Sequence, residues 1–441
     1  MDRSIVSIVR YEKPFESVQK AVALSGGFAA IKPGSKVVVK PNIVFWTAKT
    51  VLPKWGVITT SRVVADMVRL LKDHGVDDIT IAEGSVVADP RDKETQFHAY
   101  QSLGYDVLAK HYGVKCINIL ARPFKKVDLG DGMTLSISRD VLECDAVIDL
   151  PVLKTHAQTV VSLGIKNLKG TISIPSRKRC HNAEPSKDLN LWVSRLADPM
   201  PPVFTLIDGI FSNERGPAFD GRMRRSDLLI ASADIFAADK VGAMALGYQP
   251  GHIPHLMHYA RHHGRPIDLS DVDVRGEDLD AVAAPHKYDF AYTEDGALPK
   301  QMAKAGIKGI SYYKYDLSMC TYCSALTGAL LTAVALAWKG KAWDEVEVLT
   351  GKMMAPRPGK KKTILLGQCM CKLHKDNPVI NEAIRVDGCP PDPGDLIRAF
   401  HRAGIDVDQN ILHNYEQLPG FLMARYQNKP EFDEGFFRLN E

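Results

Sequence analysis

The stretch "DAVIDLPVLKTHAQTVVSLGIKNLKG", Asp145–Gly170, decides the fold. Its opening, Ala146–Leu150, is apolar apart from Asp149. A short strand apolar on both faces is buried on both faces, which is the mark of a parallel sheet between helical layers. The apolar run stops at Pro151, and Lys154, His156, Lys166, Asn167 and Lys169 follow closely. In open α/β sheets, ligands bind beyond the carboxyl ends of the strands. Polar groups gathered just after a core strand therefore predict a binding site there.

The same alternation extends on either side. "SIVSIVR", "SKVVVKPNIV", "DITIAEGS", "VFTLIDGI" and "DLLIAS" read as further strands. "PFESVQKAVALSG", "ADIFAADKVGAMALG" and "HIPHLMHYARHHG" read as helices. "TSRVVADMVRLLKDHG" reads as an amphipathic helix that starts at a Thr/Ser cap and stops at Gly75. The expected fold is α/β: a Rossmann-like, mostly parallel sheet domain over residues 1–284. A segment without periodicity, Ala283–Pro299, leads into a smaller cysteine-bearing domain over 285–405, followed by a helical and irregular tail over 406–441.

Several strand ends carry polar side chains: Lys40 and Asn42, then Glu83 and Ser85, then Lys154 and His156, then Asp208. Converging lysines with amides and hydroxyls suit a small anion such as a carboxylate, a phosphate or a developing enolate. Lys154, His156 and Lys166 are the expected catalytic groups, because crowded lysines and a histidine can move protons near neutral pH. Lys40, Asn42, Glu83, Ser85, Asn167, Lys169 and Asp208 are expected to hold the substrate. Plainer roles compete. Lys40 can be an exposed strand-end residue paired with Glu83, Lys154 and His156 can be surface loop residues, and Asp149, Asp208, Asp234 and Asp239 can cap helices or pair with lysines. The polar loop "TISIPSRKRCHNAEPSKD" reads as a lid or as a solvated connection.

Composition narrows the classes. The 441 residues are 45% apolar and 24% charged, ordinary for a globular chain. With 56 basic against 52 acidic residues, the net charge of +4 leaves no electrostatic footprint for nucleic acid. The start "MDRSIVSIVRYEKPF" lacks the apolar run of a signal peptide, and the apolar stretch Ser324–Trp338 is shorter than the ~20 residues of a membrane helix. A cytoplasmic protein, bound neither to nucleic acid nor to membrane, is expected. There is no P-loop, Gly-rich dinucleotide fingerprint or G-x-S-x-G.

Of eight cysteines, Cys320, Cys323, Cys369, Cys371 and Cys389 crowd the last third. Without an export signal, such clustering points to metal rather than disulfides. Cys320-x2-Cys323 precedes an apolar helix whose free N–H groups favour thiolates. "LLGQC" and "IRVDGCPP" each put a cysteine after a strand, at or one residue from a glycine that permits close backbone approach. A single 4Fe–4S cluster on Cys320, Cys323, Cys369 and Cys389 is the first reading, with Cys371 as an alternative to Cys369. A four-thiolate zinc site and reduced core cysteines are the others.

"VVVKPNIV", "AEGS", "DLPVLKTH", "GIKNLKGTI", "LIDGIFSNERGPAFDG" and "LIASADIFAADKVGAMALGY" together resemble the family called domain of unknown function 362. The resemblance implies a Rossmann-like α/β fold and an association with iron–sulfur clusters. A looser likeness to the N-terminal domain of lactate racemase-type proteins, which hold a nickel cofactor on lysine and histidine, implies that Lys154, His156 and Lys166 face a ligand. The ferredoxin-like C-x2-C-x2-C-x3-C-P insert of many such relatives is missing from this chain. The expectation that follows is one 4Fe–4S cluster next to a basic cleft for a small anionic substrate, in a redox or Lewis-acid enzyme. An electron donor protein as partner and a second, unidentified cofactor in the basic cleft complete the expectation. The alternatives are a non-redox isomerase or lyase with a structural cluster, and a carrier of a ligand or cluster.

Overall fold

The apolar runs build two sheets. In this computed structural model, which describes residues 3–89 and 91–439, the chain divides into two compact units. Unit 1 comprises Met1–Ser176, Asn190–Asp289 and Pro419–Glu441; unit 2 comprises Arg177–Leu189 and Phe290–Leu418.

Unit 1 strands are β1 (Ser4–Arg10), β2 (Lys36–Pro41), β3 (Asp78–Glu83), β4 (Lys115–Asn118), β5 (Phe124–Asp128), β6 (Thr134–Ser138), β7 (Ala146–Leu150), β8 (Val152–His156), β9 (Val160–Ser162), β10 (Val203–Glu214), β11 (Arg222–Ser232) and β12 (Val272–Gly276). The large sheet runs β12-β1-β11-β10-β7-β2-β3-β4, with β8 and β9 attached beside β10. The pairs β1–β12, β10–β7, β7–β2, β2–β3, β3–β4 and β10–β8 are parallel. The sheet is thus mostly parallel, with the Rossmann-like character the alternation predicts. Val37, Val38 and Val39 of β2 and Val147 and Ile148 of β7 are fully buried, as helices on both faces require. β5 and β6 form a separate antiparallel ribbon.

One departure is topological. β10 and β11 form a long antiparallel hairpin, and β11 then pairs antiparallel with β1. The turn between them, "RGPAFDG", contains a cis Gly216–Pro217 bond and a left-handed Arg215 (φ 61°). Periodicity identifies both strands but is silent on pairing direction. The helix Ser61–Asp73 begins and ends where expected, with Gly75 left-handed (φ +83°). Its Thr60 hydroxyl makes no cap bond, however; the Thr60 amide instead donates to Asp208 Oδ2 at 2.7 Å.

Unit 2 holds four parallel strands in sequence order: β13 (Ile310–Tyr312), β14 (Val346–Leu349), β15 (Lys362–Leu366) and β16 (Glu382–Val386). The apolar helix Thr321–Ala337 follows β13, and the helix Pro393–Arg402 follows β16. Leu326, Leu330 and Val334 of the first and Leu396 and Phe400 of the second pack with Val346, Val348, Ile364 and Ile384 of the sheet.

Two boundaries differ from the expected 1–284, 285–405 and 406–441. Arg177–Leu189, inside the basic loop, groups with unit 2, and Pro419–Glu441 groups with unit 1. The reason for the second is aromatic: Tyr426 and Phe432 meet Trp55, and Phe436 meets Phe211 and Tyr11. Among the described residues, no helix is long and apolar enough to cross a membrane.

Candidate functional site

In unit 1, the ends of β2, β3 and β7, with β8, bring Lys40, Asn42, Glu83, Lys154 and Asn167 into one buried polar network with Asp149; Ser85, His156 and Asp208 bond elsewhere. Lys40 Nζ donates to Glu83 Oε2 (2.9 Å), Asn167 Oδ1 (3.1 Å) and the Pro41 carbonyl (3.0 Å). An ammonium has three donors, so Lys40 is saturated by the protein. Glu83 also accepts from the amides of Ile43 and Gly84. Asn42 Nδ2 donates to Asn167 Oδ1 (2.8 Å), and Asn167 Nδ2 donates to Asp149 Oδ1 (2.8 Å). Gly170 lies so close that a Cβ there would meet Glu83 Oε1 and come within 2.7 Å of Lys40 Nζ.

Lys154 Nζ donates to Asn42 Oδ1 (2.6 Å) and the Val57 carbonyl (2.9 Å). Burial pulls its pKa down from 10.5 to about 7, against the attraction of Glu83 and with a small push from Lys40. A neutral amine has two N–H groups, and both acceptors are supplied, which leaves the lone pair free. Asp149 Oδ2 has no hydrogen-bond partner, and burial holds this carboxyl well above its usual range. Burial also lifts Asp208 to about 6 and Asp239 to about 7, although backbone amides of Thr60 and Ile210, and of Gly164 and Ile165, donate to them. Asp234 caps the helix Ile235–Ala245 by accepting from Phe236 and Ala237.

His156 is buried and accepts from the Gln158 amide through Nδ1 at 3.0 Å. Lys166 and Lys169 are half-buried on the following turn. The Ser85 amide donates to Gln96 Oε1, while its hydroxyl is buried and unpartnered. One residue escapes sequence reasoning. His255 is fully buried with neither ring nitrogen bonded, and burial together with the charge of Lys166 drives its pKa down to about 3. His255 is one of five histidines in "HIPHLMHYARHHG", and no local signal distinguishes it from the others.

In unit 2, the carboxyl ends of the four strands surround one pocket. It is lined by Cys320, Cys323, Cys369 and Cys389 together with Ser318, Gly351, Lys352, Leu366, Gly367, Gln368 and Gly388, and holds about 290 Å³ of atom-free space that is partly open to solvent. Cys320 stands at the start of the helix Thr321–Ala337. The hydrogen bond between its thiol and that of Cys323 pushes Cys320 down and Cys323 up. The amides of Tyr322 and Cys323 also favour the Cys320 thiolate, although neither closes a cap hydrogen bond. The charges of Cys320, Cys369 and Cys389 all act on Cys323, so the four thiols form one electrostatic group. Gly367, left-handed at φ +89°, lets the backbone pass Cys323 Sγ; a Cβ there would sit 3.5 Å from the sulfur. Cys371, two residues on from Cys369, turns away: its thiol donates to the Leu365 carbonyl at 3.5 Å among Tyr313, Leu349 and Met370. Lys352 follows β14 as Lys154 follows β7, and the strand-end rule applied to "EVEVLTGK" finds it.

Fold and pockets together define a two-unit α/β protein, with a buried lysine–carboxamide network in one unit and a four-thiol pocket in the other. Residues 37–244 match the family described as domain of unknown function (DUF362), and the resemblance carried by the strand-end motifs holds. The pocket cysteines, Cys320 to Cys389, lie outside the matched residues. The chain is similar to the thylakoid-associated protein sll1697 of Synechocystis sp., with 28% identity over 227 residues, 51% of this chain and 67% of that protein. It is also similar to the lactate racemase apoprotein from Thermoanaerobacterium thermosaccharolyticum, at a TM-score of 0.35 and 14% identity, covering 56% of this chain and 57% of that one.

Proposed function

We propose that the protein is an iron–sulfur protein that binds one 4Fe–4S cluster through Cys320, Cys323, Cys369 and Cys389. The observation that carries the reading is the convergence of these four thiols, drawn from three strand-end segments, on one pocket. The donor set fits. Thiolates are the ligands iron–sulfur clusters take, and four thiols line this one pocket. When bound, such a cluster supplies one-electron transfer or a Lewis-acidic iron. The chain's own contribution is to hold the thiols, to set Leu366 in the pocket wall, and to bring Gly367 and Gly388 close to the sulfurs.

The network of unit 1 serves a small anion under this reading. Lys154, whose pKa burial brings near neutral, is the proton-moving group, and Lys166 and Lys169 supply positive charge. Lys40 has no donor left for a ligand and holds Glu83 and Asn167 in place. Redox or Lewis-acid catalysis is the preferred activity. A non-redox isomerase or lyase, or a carrier, would leave activity independent of the state of the cluster.

The test is a pair of variants. Cys369→Ser should strip the brown colour and most of the iron. Cys371→Ala should keep both and cost about 1 kcal/mol of stability through a small cavity. Iron lost from Cys371→Ala and retained in Cys369→Ser would sink the ligand assignment.

A further inference from the structure

The segment Arg177–Leu189, polar and basic in sequence, is part of unit 2, and it brings a cation onto the thiol pocket. Lys178 Nζ lies 3.0 Å from Cys389 Sγ and 3.4 Å from the Cys389 carbonyl oxygen. The same ammonium sits 5.1 Å from the centroid of the Tyr322 ring. Lys352 lines the pocket itself, and its ammonium donates to the carbonyls of Lys178 (2.8 Å) and His181. Its amide donates to Ser318 Oγ at 2.8 Å, and His181 Nδ1 is 3.0 Å from the Leu317 carbonyl. The two lysines are therefore tied to each other and to the pocket wall. The pocket thus carries two cations, Lys352 in its wall and Lys178 beside Cys389.

A cluster held by four thiolates is an anion, and one added electron makes it more negative. Cations and N–H···S hydrogen bonds stabilise the more negative state more, and so raise the reduction potential. We propose that Lys178 and Lys352 are the counter-charge of the pocket, with Lys178 as the positioning residue of Cys389, and that they set a raised reduction potential for the cluster. The inference rests on the cluster reading above. No bond forms or breaks in the step concerned: one electron passes from an external reductant to the cluster, and its added charge is met by ammonium groups already in place.

The experiment is a dithionite titration of anaerobic, iron-loaded protein at controlled potential, read by the paramagnetic signal of the reduced cluster. Lys178 is half-buried, so Lys178→Gln should fold. The expected result is a fall of about tenfold in the reduction equilibrium constant, or about 59 mV for one electron, with iron content unchanged. Lys178→Arg should recover most of it. Equal potentials in wild type and Lys178→Gln, with equal iron, overturn the inference and leave the cluster reading intact. A wild-type protein without iron overturns both. Should Lys178→Gln lose its iron, the wild-type potential against salt decides: a fall with ionic strength supports the ammonium's role, and a flat response refutes it.

Discussion

Lys154 shows how burial can turn a structural residue into a chemical one. Its nitrogen satisfies two acceptors and sits at about pKa 7, against 10.5 when exposed. Between those values the unfolded chain binds one proton more than the folded chain. Stability due to this group therefore rises with pH across that window, by about 1.4 kcal/mol per unit, and the cost of the buried charge is full below pH 7. Lys154→Met removes the titration. Urea unfolding at pH 7.5, 8.5 and 9.5 should show wild type gaining on the variant at each step, and a constant difference would mean that Lys154 is not desolvated. Its place just after the core strand β7 was legible in the sequence. Its burial was not, because "VLKTH" reads equally as a core strand or as a surface loop. For Lys40 the structure keeps the pairing with Glu83 but buries it rather than exposing it. Cys369 and Cys371 sit two residues apart on the helix Gln368–Leu373, and only the helical turn sends one to the pocket and the other to the core.

At the scale of elements, close approach decides more than propensity. Gly170 ends the basic stretch that follows β9, and a methyl group there would collide with Lys40 and Glu83 rather than with a flexible surface chain. Gly170→Ala should lose about 1–3 kcal/mol by denaturant unfolding, because the pair cannot move without breaking its other bonds. Gly251→Ala, where nothing lies within 4 Å of the added carbon, should change stability by less than about 0.5 kcal/mol. Equal effects at the two sites would show that the network yields easily. Strands and helices were readable from continuous apolar runs and amphipathic spacing. The β10–β11 hairpin was not, since its long turn is polar and non-repeating and the apolar runs say nothing of strand direction.

At the scale of the whole molecule, the same rule operates twice. Both sheets place their polar or sulfur-bearing residues at the carboxyl ends of parallel strands. Sequence separates the two units near residue 290 because periodicity lapses there, but it hides the exchange of segments. Arg177–Leu189 joins unit 2 through contacts such as Lys178 with Cys389, and Pro419–Glu441 joins unit 1 through its aromatic rings, and neither kind of contact leaves a local pattern.

The most direct measurement is the iron, acid-labile sulfide and zinc content of anaerobically purified protein, taken with its visible spectrum. The account predicts about four iron and four sulfide per chain, with broad absorption near 400 nm. A colourless protein with one zinc per chain, or with no metal at all, would contradict it.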